Sequence, residues 1–191
     1  MFPSLLLLSS LAIFSTSVNI SNVNHCGIVT KSLPNYYWRK YEGVIPNDAI
    51  PGGHTPTGEN TYIGQTLVIN DLQFQALTPG VIYIGKPEVE VTVLGHVYKG
   101  KHYNAILCSD TPSALKWRGV CEDDFPLIHN YLVVGGYVSY LTAYIGRASH
   151  NNYLIPGKVY TDSFKGLRIA SANGTEVEFS TFEVLVYDPS Y

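Results

Sequence analysis

Residues 144–159 read YIGRASHNNYLIPGKV, and two short motifs within them already occur earlier in the chain, in the same order. Tyr62-Ile63-Gly64 precedes Pro79-Gly80, as Tyr144-Ile145-Gly146 precedes Pro156-Gly157. Three further landmarks also recur: Trp38 as Trp117, Gly52-Gly53 as Gly135-Gly136, and Ala105-Ile106-Leu107 as Glu183-Val184-Leu185. The offsets run from 77 residues (Pro79 to Pro156) to 83 residues (Gly52 to Gly135). Five landmarks in one register indicate an internal duplication with small insertions.

The segments between these landmarks have the composition and period of β-strands. Alternating or β-branched runs occupy Thr66–Asn70, Val81–Ile84, Val89–Leu94, Tyr131–Val134 and Thr175–Tyr187. In Glu176-Val177-Glu178-Phe179 charged and apolar residues alternate, which is the period of a half-buried strand. The Gly-Gly and Pro-Gly pairs are expected to form turns between strands. The sequence therefore predicts an all-β fold of antiparallel β-sandwich type.

Composition and charge exclude several classes of protein. The chain has 191 residues, 46% of them hydrophobic, which is enough to bury a core. The formal net charge is −3 and the 12 Lys and Arg are scattered, so nucleic acid is not an expected partner. After the first residues, no stretch is apolar enough to span a membrane.

The first residues are typical of a secretory signal peptide. Leu5 to Phe14 form an apolar run, followed by the small residues Ser15, Thr16 and Ser17. We expect cleavage near Ser17 and a mature protein outside the cell or in the secretory pathway. The domain boundaries predicted on this basis are a signal peptide (1–17), an N-terminal segment (18–35), a first repeat (36–110) and a second repeat (111–191).

An oxidising compartment favours one disulfide among Cys26, Cys108 and Cys121. Cys108 with Cys121 closes the shortest loop and is the expected pair, while pairing with Cys26 stays open. The odd thiol would be buried or would join two chains. Asn173-Gly174-Thr175 is a predicted glycosylation site, whereas the sequon at Asn19 lies close to the cleavage point.

The second copy resembles the DM-nine repeat. The resemblance rests on the motifs quoted above, on Phe182-Glu183-Val184-Leu185, and on Ile45–Ile50 with Gly52-Gly53 in the first copy. It covers about Tyr36 to Asp188 and implies two tandem repeats, folded as a pseudo-symmetric pair of β-sandwich units. Relatives include mollusc lectins that bind mannose-type glycans and arthropod proteins associated with microbial recognition.

The resemblance also implies where a sugar site would lie. In the mannose-binding relatives an Asp follows the Gly-Gly pair by two positions, and a Lys follows the Pro-Gly pair. This chain has Thr55 and Val138 at the Asp positions, and Val81 and Lys158 at the Lys positions. One of the four family residues is therefore retained, and we expect simple mannose to bind weakly or not at all.

Other polar and aromatic residues near these motifs are candidate ligand contacts. Lys158 follows a Pro-Gly pair, where its cationic head is predicted either to meet a ligand or to lie in solvent. Arg147, His150 and the Asn151-Asn152 pair form a polar hairpin just upstream, and His54 with Thr55 lies in the equivalent loop of the first copy. Their alternative interpretation is plain exposed turns.

Aromatic residues divide into ligand-contact and core candidates. Tyr137 and Tyr140 follow Gly135-Gly136 and offer stacking surfaces for a ligand. Trp38 and Trp117 are interpreted as core anchors of the two copies. The acidic run Glu122-Asp123-Asp124 matches no calcium loop, and its alternative interpretation is a solvated turn.

Nothing in the sequence has the pattern of a catalytic site or a cofactor site. No nucleophile motif, phosphate-binding loop or zinc signature is present, and His96 with His102 has no third ligand in view. The sequence therefore predicts a secreted recognition protein, without enzymatic activity or cofactor, that binds a glycan or a microbial surface. A homodimer stays open. The alternative is a structural or partner-binding protein that has lost the sugar site.

Overall fold

Two sets of seven β-strands follow one another along the chain. The computed structural model describes residues 36–69, 75–123, 131–161 and 165–187. The first set is β1 (Tyr36–Lys40), β2 (Pro51–His54), β3 (Asn60–Ile69), β4 (Gln75–Tyr83), β5 (Glu90–Val93), β6 (His96–Lys99) and β7 (Asn104–Ser109). The second set is β8 (Leu115–Cys121), β9 (Val134–Val138), β10 (Leu141–His150), β11 (Tyr153–Val159), β12 (Leu167–Ala170), β13 (Glu176–Phe179) and β14 (Thr181–Tyr187). A 3-10 turn at Pro112–Ala114 separates them, and these described ranges contain no α-helix.

The two sets share one pairing scheme. β1 pairs with β7 as β8 pairs with β14, and β3 with β7 as β10 with β14. The meanders β2-β3-β4-β5-β6 and β9-β10-β11-β12-β13 are likewise equivalent, and every pairing is antiparallel. The register agrees too, since Gly64 faces Gly80 across β3 and β4 and Gly146 faces Gly157 across β10 and β11.

The halves exchange strand contacts with each other. β4 of the first half pairs with β9 of the second, and β11 of the second pairs with β2 of the first. As a result the fourteen strands of the described ranges form one hydrogen-bonded network. The predicted antiparallel, all-β class is confirmed. The finer prediction of two pseudo-symmetric β-sandwich units is not confirmed, because one strand network runs through both halves.

The prediction that the Gly-Gly and Pro-Gly pairs form turns is wrong, because they lie inside strands β2, β9, β4 and β11. The glycines are needed where one half closely approaches the other. A Cβ added at Gly52 would lie 2.7 Å from the Pro156 ring, and one added at Gly135 would lie 2.5 Å from the Pro79 ring. Each proline therefore packs on a glycine of the other half, at a distance that no side chain allows.

The hydrophobic core also joins the halves. One cluster contains the equivalent pairs Ile63 with Ile145 and Leu107 with Leu185, each at most 1% exposed. Trp38 and Trp117 pack against this cluster and are themselves half-buried. Burial of apolar surface from both halves in one cluster stabilises the two halves together.

Two predicted strands have different bounds in the structure. The strand expected at Tyr131–Val134 begins at Val134 and runs to Val138, and Tyr131 is half exposed. The run from Thr175 to Tyr187 contains two strands, β13 and β14, that break at Ser180. Local alternation predicts that a strand exists, but the pairing partners decide where it starts and stops.

The expected Cys108–Cys121 disulfide is not formed. Cys108 is fully buried near the end of β7, whereas Cys121 is exposed at the end of β8 in the other half. A short loop favours encounter in the unfolded chain, but it does not bring two strands together in the fold. Burial, with smaller effects from the Asp48 carboxylate, raises the pKa of the Cys108 thiol to about 11. The residues of the predicted signal peptide and Cys26 lie outside the described residues.

Candidate ligand-binding site

Lys158 lies within β11, where it is paired with Arg168 of β12. Its side chain is only 4% exposed, so the predicted turn position and the predicted contact with solvent are both wrong. The ammonium donates to the backbone carbonyl and, at 2.9 Å, to Oγ1 of Thr92 in the first half. It also reaches Glu176 Oε2 at 3.4 Å. Lys158 therefore links the two halves through a buried charged group.

Burial alters the proton affinity of this lysine. Loss of hydration lowers the pKa of Lys158 from its usual 10.5 to about 8, and the Glu176 carboxylate opposes part of that shift. The neighbouring Arg168 guanidinium lowers the pKa further. Near neutral pH the group carries its charge, but it is much closer to deprotonation than an exposed lysine.

This shift predicts a pH-dependent stability. Between pH 8 and 10.5 the unfolded chain binds more protons at this position than the folded chain, so stability rises with pH. From pH 8 to 9 the gain is about 1 kcal/mol. Urea unfolding of wild type and Lys158→Met should show this rise in the wild type alone. The comparison cancels the opposite trend of Cys108, whose raised pKa reduces stability as pH increases above 9. Parallel profiles for both proteins would contradict the assignment.

Lys158 lies in the wall of a cleft of about 320 Å³. The cleft is open to solvent and mostly apolar. Two hairpin turns border it, one from each half: Leu94-Gly95 between β5 and β6, and Ser139-Tyr140 between β9 and β10. The charged members of its wall are Lys158, Arg168 and Glu176. Apolar walls with a few convergent polar groups are typical of small-ligand sites.

Each of the two hairpin turns contains a residue other than glycine with a positive φ angle. Leu94 has φ 51° and Ser139 has φ 55°, in the left-handed region that L-residues rarely adopt. Both turns also expose a large hydrophobic side chain to solvent: Leu94 is 69% exposed and Tyr140 is 88% exposed. Strained backbone with exposed apolar side chains is unfavourable for folding, and such positions concentrate at binding sites.

The positions that the resemblance pairs as a sugar site meet only in the second copy. Val138 and Lys158 both line the cleft. In the first copy Val81 is fully buried in the core, and Thr55 lies in the turn after β2, where its hydroxyl bonds Thr57 Oγ1 at 2.8 Å. The first copy therefore has neither the carboxylate nor the cation of the family pattern.

Arg147 and His150 lie outside the cleft, on β10. Arg147 Nε donates to Glu183 Oε2 at 2.7 Å, and its guanidinium lies 4.1 Å from the centroid of the Trp117 ring. His150 packs edge-on against Phe179, with ring centroids 6.1 Å apart. These contacts give both side chains structural partners on a different surface from Lys158.

The remaining candidates are also dispersed. His54 is exposed on β2, opposite Leu154, and its ring Nδ1 lies 3.1 Å from the carbonyl oxygen of Thr55. Tyr137 is 55% exposed on β9 and does not line the cleft, although Tyr140 does. Asn173 is exposed in the turn between β12 and β13, where its Oδ1 accepts from the Ser171 and Thr175 hydroxyls.

Sequence reasoning missed Thr92, Arg168 and Glu176. The alternating sequence places Glu176 on the charged face of a strand, and it does lie there, on β13. That face, however, lies toward Lys158 of β11 and not toward solvent. Thr92 comes from the other half, close to an isolated bridge between His96 and Thr175. Only the packing of hairpin β5-β6 against hairpin β12-β13 brings these residues together, and local pattern carries no signal for it.

The described part of the chain contains neither a metal-binding cluster nor a membrane-spanning helix. Among its residues, no cluster of three or more His, Cys, Asp or Glu side chains has a geometry that could hold a metal ion. Nor does that part contain a helix of sufficient length and apolar character to cross a membrane.

Comparison with known proteins supports the resemblance. The family model of the DM9 repeat matches residues 137–191, which include β10 to β14 and Lys158. No curated protein matches the chain in sequence. Among solved structures, the nematode sperm cell motility protein MFP2B is similar over 83% of this chain, with a TM-score of 0.54 and 12% identity. The chain spans about half (48%) of that protein's length, and at this identity the likeness concerns the fold.

Proposed function

We propose that this chain, which carries a DM9 repeat at residues 137–191, is a secreted and non-catalytic recognition protein. Its ligand is a terminal group of a glycan or microbial surface, bound in the cleft between the Leu94-Gly95 and Ser139-Tyr140 turns. The observation that carries the proposal is this cleft itself, in which charged side chains of the second half converge below exposed apolar turns from both halves.

The dimensions and walls of the cleft suit one ring-sized group. Its volume of about 320 Å³ is at the small end of the range of ligand sites. The exposed Tyr140 ring offers a flat face for the C–H surface of a sugar ring, and Ser139 offers a hydroxyl group. A cleft rather than a flat patch favours a small terminal group over an extended protein surface.

We also propose several features that are inferred from the sequence alone. These are the cleaved signal peptide at residues 1–17, glycan on Asn173, and a first half that is a second, diverged DM9 copy in a pseudo-symmetric pair of β-sandwiches. Weak single-site binding would be raised by multivalent surfaces and by a homodimer. Sequencing the N terminus of secreted material tests the cleavage, since an intact Met1 would contradict it.

Tyr140→Ala tests the site directly. We expect wild type to bind glycan arrays or whole microbial cells and the variant to lose about tenfold in affinity, because one exposed stacking surface is removed. Since Tyr140 is 88% exposed, its removal should leave folding unchanged. Tyr103→Ala is the matched control, because Tyr103 is also exposed but lies outside the cleft. Equal binding by all three proteins would overturn the proposal.

A second function is favoured by the family residues that are missing. Without the carboxylates at positions 55 and 138, the scaffold could instead bind a protein partner through the exposed Leu94 and Tyr140 side chains. In that case wild type would bind no glycan, and Tyr140→Ala would abolish association with a protein that a crosslinking experiment identifies.

A further inference from the structure

The charged groups in the wall of the cleft are already paired within the protein. The Lys158 ammonium donates to the carbonyl oxygen and to the hydroxyl of Thr92, and its remaining partner is Glu176. Arg168 forms ion pairs with Glu178, at 2.9 Å, and with Glu176, at 3.9 Å. A polar ligand would have to replace these partners before it could use either cation. The charges of the wall therefore favour an uncharged occupant.

The rest of the wall is mostly apolar. Val138 stands where the resemblance assigns an Asp to the mannose-binding relatives. Against such a wall the hydroxyl groups of a sugar would lose their hydration without gaining partners. Each methylene group that leaves water for an apolar wall instead raises affinity by up to about fourfold. Besides Val138, the aliphatic and aromatic side chains of the wall are Val93, Leu94, Leu141, Tyr140 and Tyr160.

Leu94 lies in a turn whose conformation does not favour leucine. Its φ of 51° belongs to the left-handed region, where Gly and Asn are preferred. The two-residue turn between β10 and β11 has Asn151 and Asn152 in that conformation, with φ 50° and 65°. The Leu94 side chain is largely exposed, so it adds little to the core of the fold. It is therefore available to an apolar group that enters the cleft.

The volume of the cleft sets the size of that group. A dry cavity of about 150 Å³ holds one benzene ring. A cleft of about 320 Å³ accommodates on the order of ten carbon atoms by the same measure. Because the cleft is open to solvent, a polar headgroup on such a chain would stay hydrated beside the Ser139 hydroxyl and the exposed Tyr140 ring. An amphiphile with one acyl chain has this form.

We propose that the cleft binds the acyl chain of a surface lipid, whose headgroup stays at the rim. The chain lies against Val93, Val138 and Leu141, and Leu94 and Tyr140 cover it from the two turns. An acyl chain carries no charge, so the paired ions of the wall keep their partners. The inference rests on the proposed function, because it names the chemical class of the group that enters the same cleft.

A series of alkyl maltosides tests the acyl chain. The compounds from butyl to dodecyl maltoside share one uncharged headgroup, and maltose is the matched compound without a chain. We expect affinity, measured by calorimetry below the micelle concentration, to rise by up to about fourfold per methylene. The rise should level off near about ten carbons, where the cleft is full. The methyl NMR signals of Val93, Leu94 and Leu141 should shift with the alkyl maltosides and not with maltose.

Leu94→Asn tests the wall of the cleft without a cost in folding. Asn suits the left-handed turn, so urea unfolding should show a variant at least as stable as wild type. Because the variant lacks one apolar side chain of the cleft, its affinity for octyl maltoside should fall about tenfold. Val44→Asn is the matched control, since Val44 is 80% exposed and lies outside the cleft. This control should bind as wild type does.

The unfavourable outcomes separate the two proposals. Affinity that does not change from butyl to dodecyl maltoside would overturn the acyl-chain inference. Unchanged affinity in Leu94→Asn, or an equal loss in Val44→Asn, would overturn it too. The proposed function would still stand if wild type bound glycan arrays or whole microbial cells and Tyr140→Ala lost that binding. No binding of any maltoside or maltose, together with no loss in Tyr140→Ala on arrays and cells, would overturn both.

Discussion

Replacing Gly53 with alanine should lower the free energy of unfolding by about 3 kcal/mol or prevent folding, because a side chain there collides with backbone. An added Cβ would lie 1.9 Å from the carbonyl oxygen of Leu154. Because that oxygen belongs to the backbone of β11, the collision cannot be relieved by the movement of a flexible side chain. The collision falls where β2 pairs with β11, through His54 and Leu154. Strain at this point would weaken the contact between the two halves as well as the pairing of β2 with β11.

Gly119→Ala is the matched control for this prediction. Gly119 also lies in a strand, β8, but nothing is found within 4 Å of an added Cβ, so we expect a change within about 0.5 kcal/mol. Urea unfolding followed by tryptophan fluorescence measures both variants. If Gly53→Ala were as stable as Gly119→Ala, the close approach of the halves described for this chain would be wrong.

The repeated pairing scheme of the two halves could be predicted from sequence, because its landmarks are the residues that the junction between the halves requires. Gly53 meets the Leu154 carbonyl as Gly136 meets the Leu77 carbonyl, at 1.9 and 2.0 Å from an added Cβ. Equivalent contacts preserve equivalent residues, so the repeated motifs marked the right positions. Their role was misread, because Gly-Gly and Pro-Gly most often form turns and the local sequence does not reveal a backbone from the other half.

The candidate site could be predicted only in part. Lys158 was identified by its place after Pro156-Gly157, and it does line the cleft. Arg147 lies eleven residues earlier on the neighbouring strand, opposite Pro156, yet its side chain stacks on Trp117 instead. Nearness in sequence did not imply a shared surface. The partners of Lys158, Thr92 above all, depend on how two distant hairpins pack.

Introducing Asp at Val138 should give the cleft measurable affinity for mannose. The new carboxylate would lie in the wall of the cleft that also contains Lys158, where it can accept sugar hydroxyls in charge-assisted hydrogen bonds. It also restores, with Lys158, the Asp and Lys pair that the resemblance assigns to the mannose-binding relatives. We therefore expect measurable binding of mannose by Val138→Asp and little or none by wild type, in calorimetric titrations.

Thr55→Asp separates a restored site from a mere added charge. It fills the other Asp position of the family pattern, but its copy has Val81, fully buried, where the lysine would be. Because a carboxylate without the cation lacks half of the site, Thr55→Asp should gain no mannose binding. Circular dichroism must show an intact fold for both variants, since Val138 packs partly against the core. Equal gains in the two variants, or none in Val138→Asp, would mean that the cleft lined by Lys158 does not supply the sugar-binding geometry that the family pattern implies.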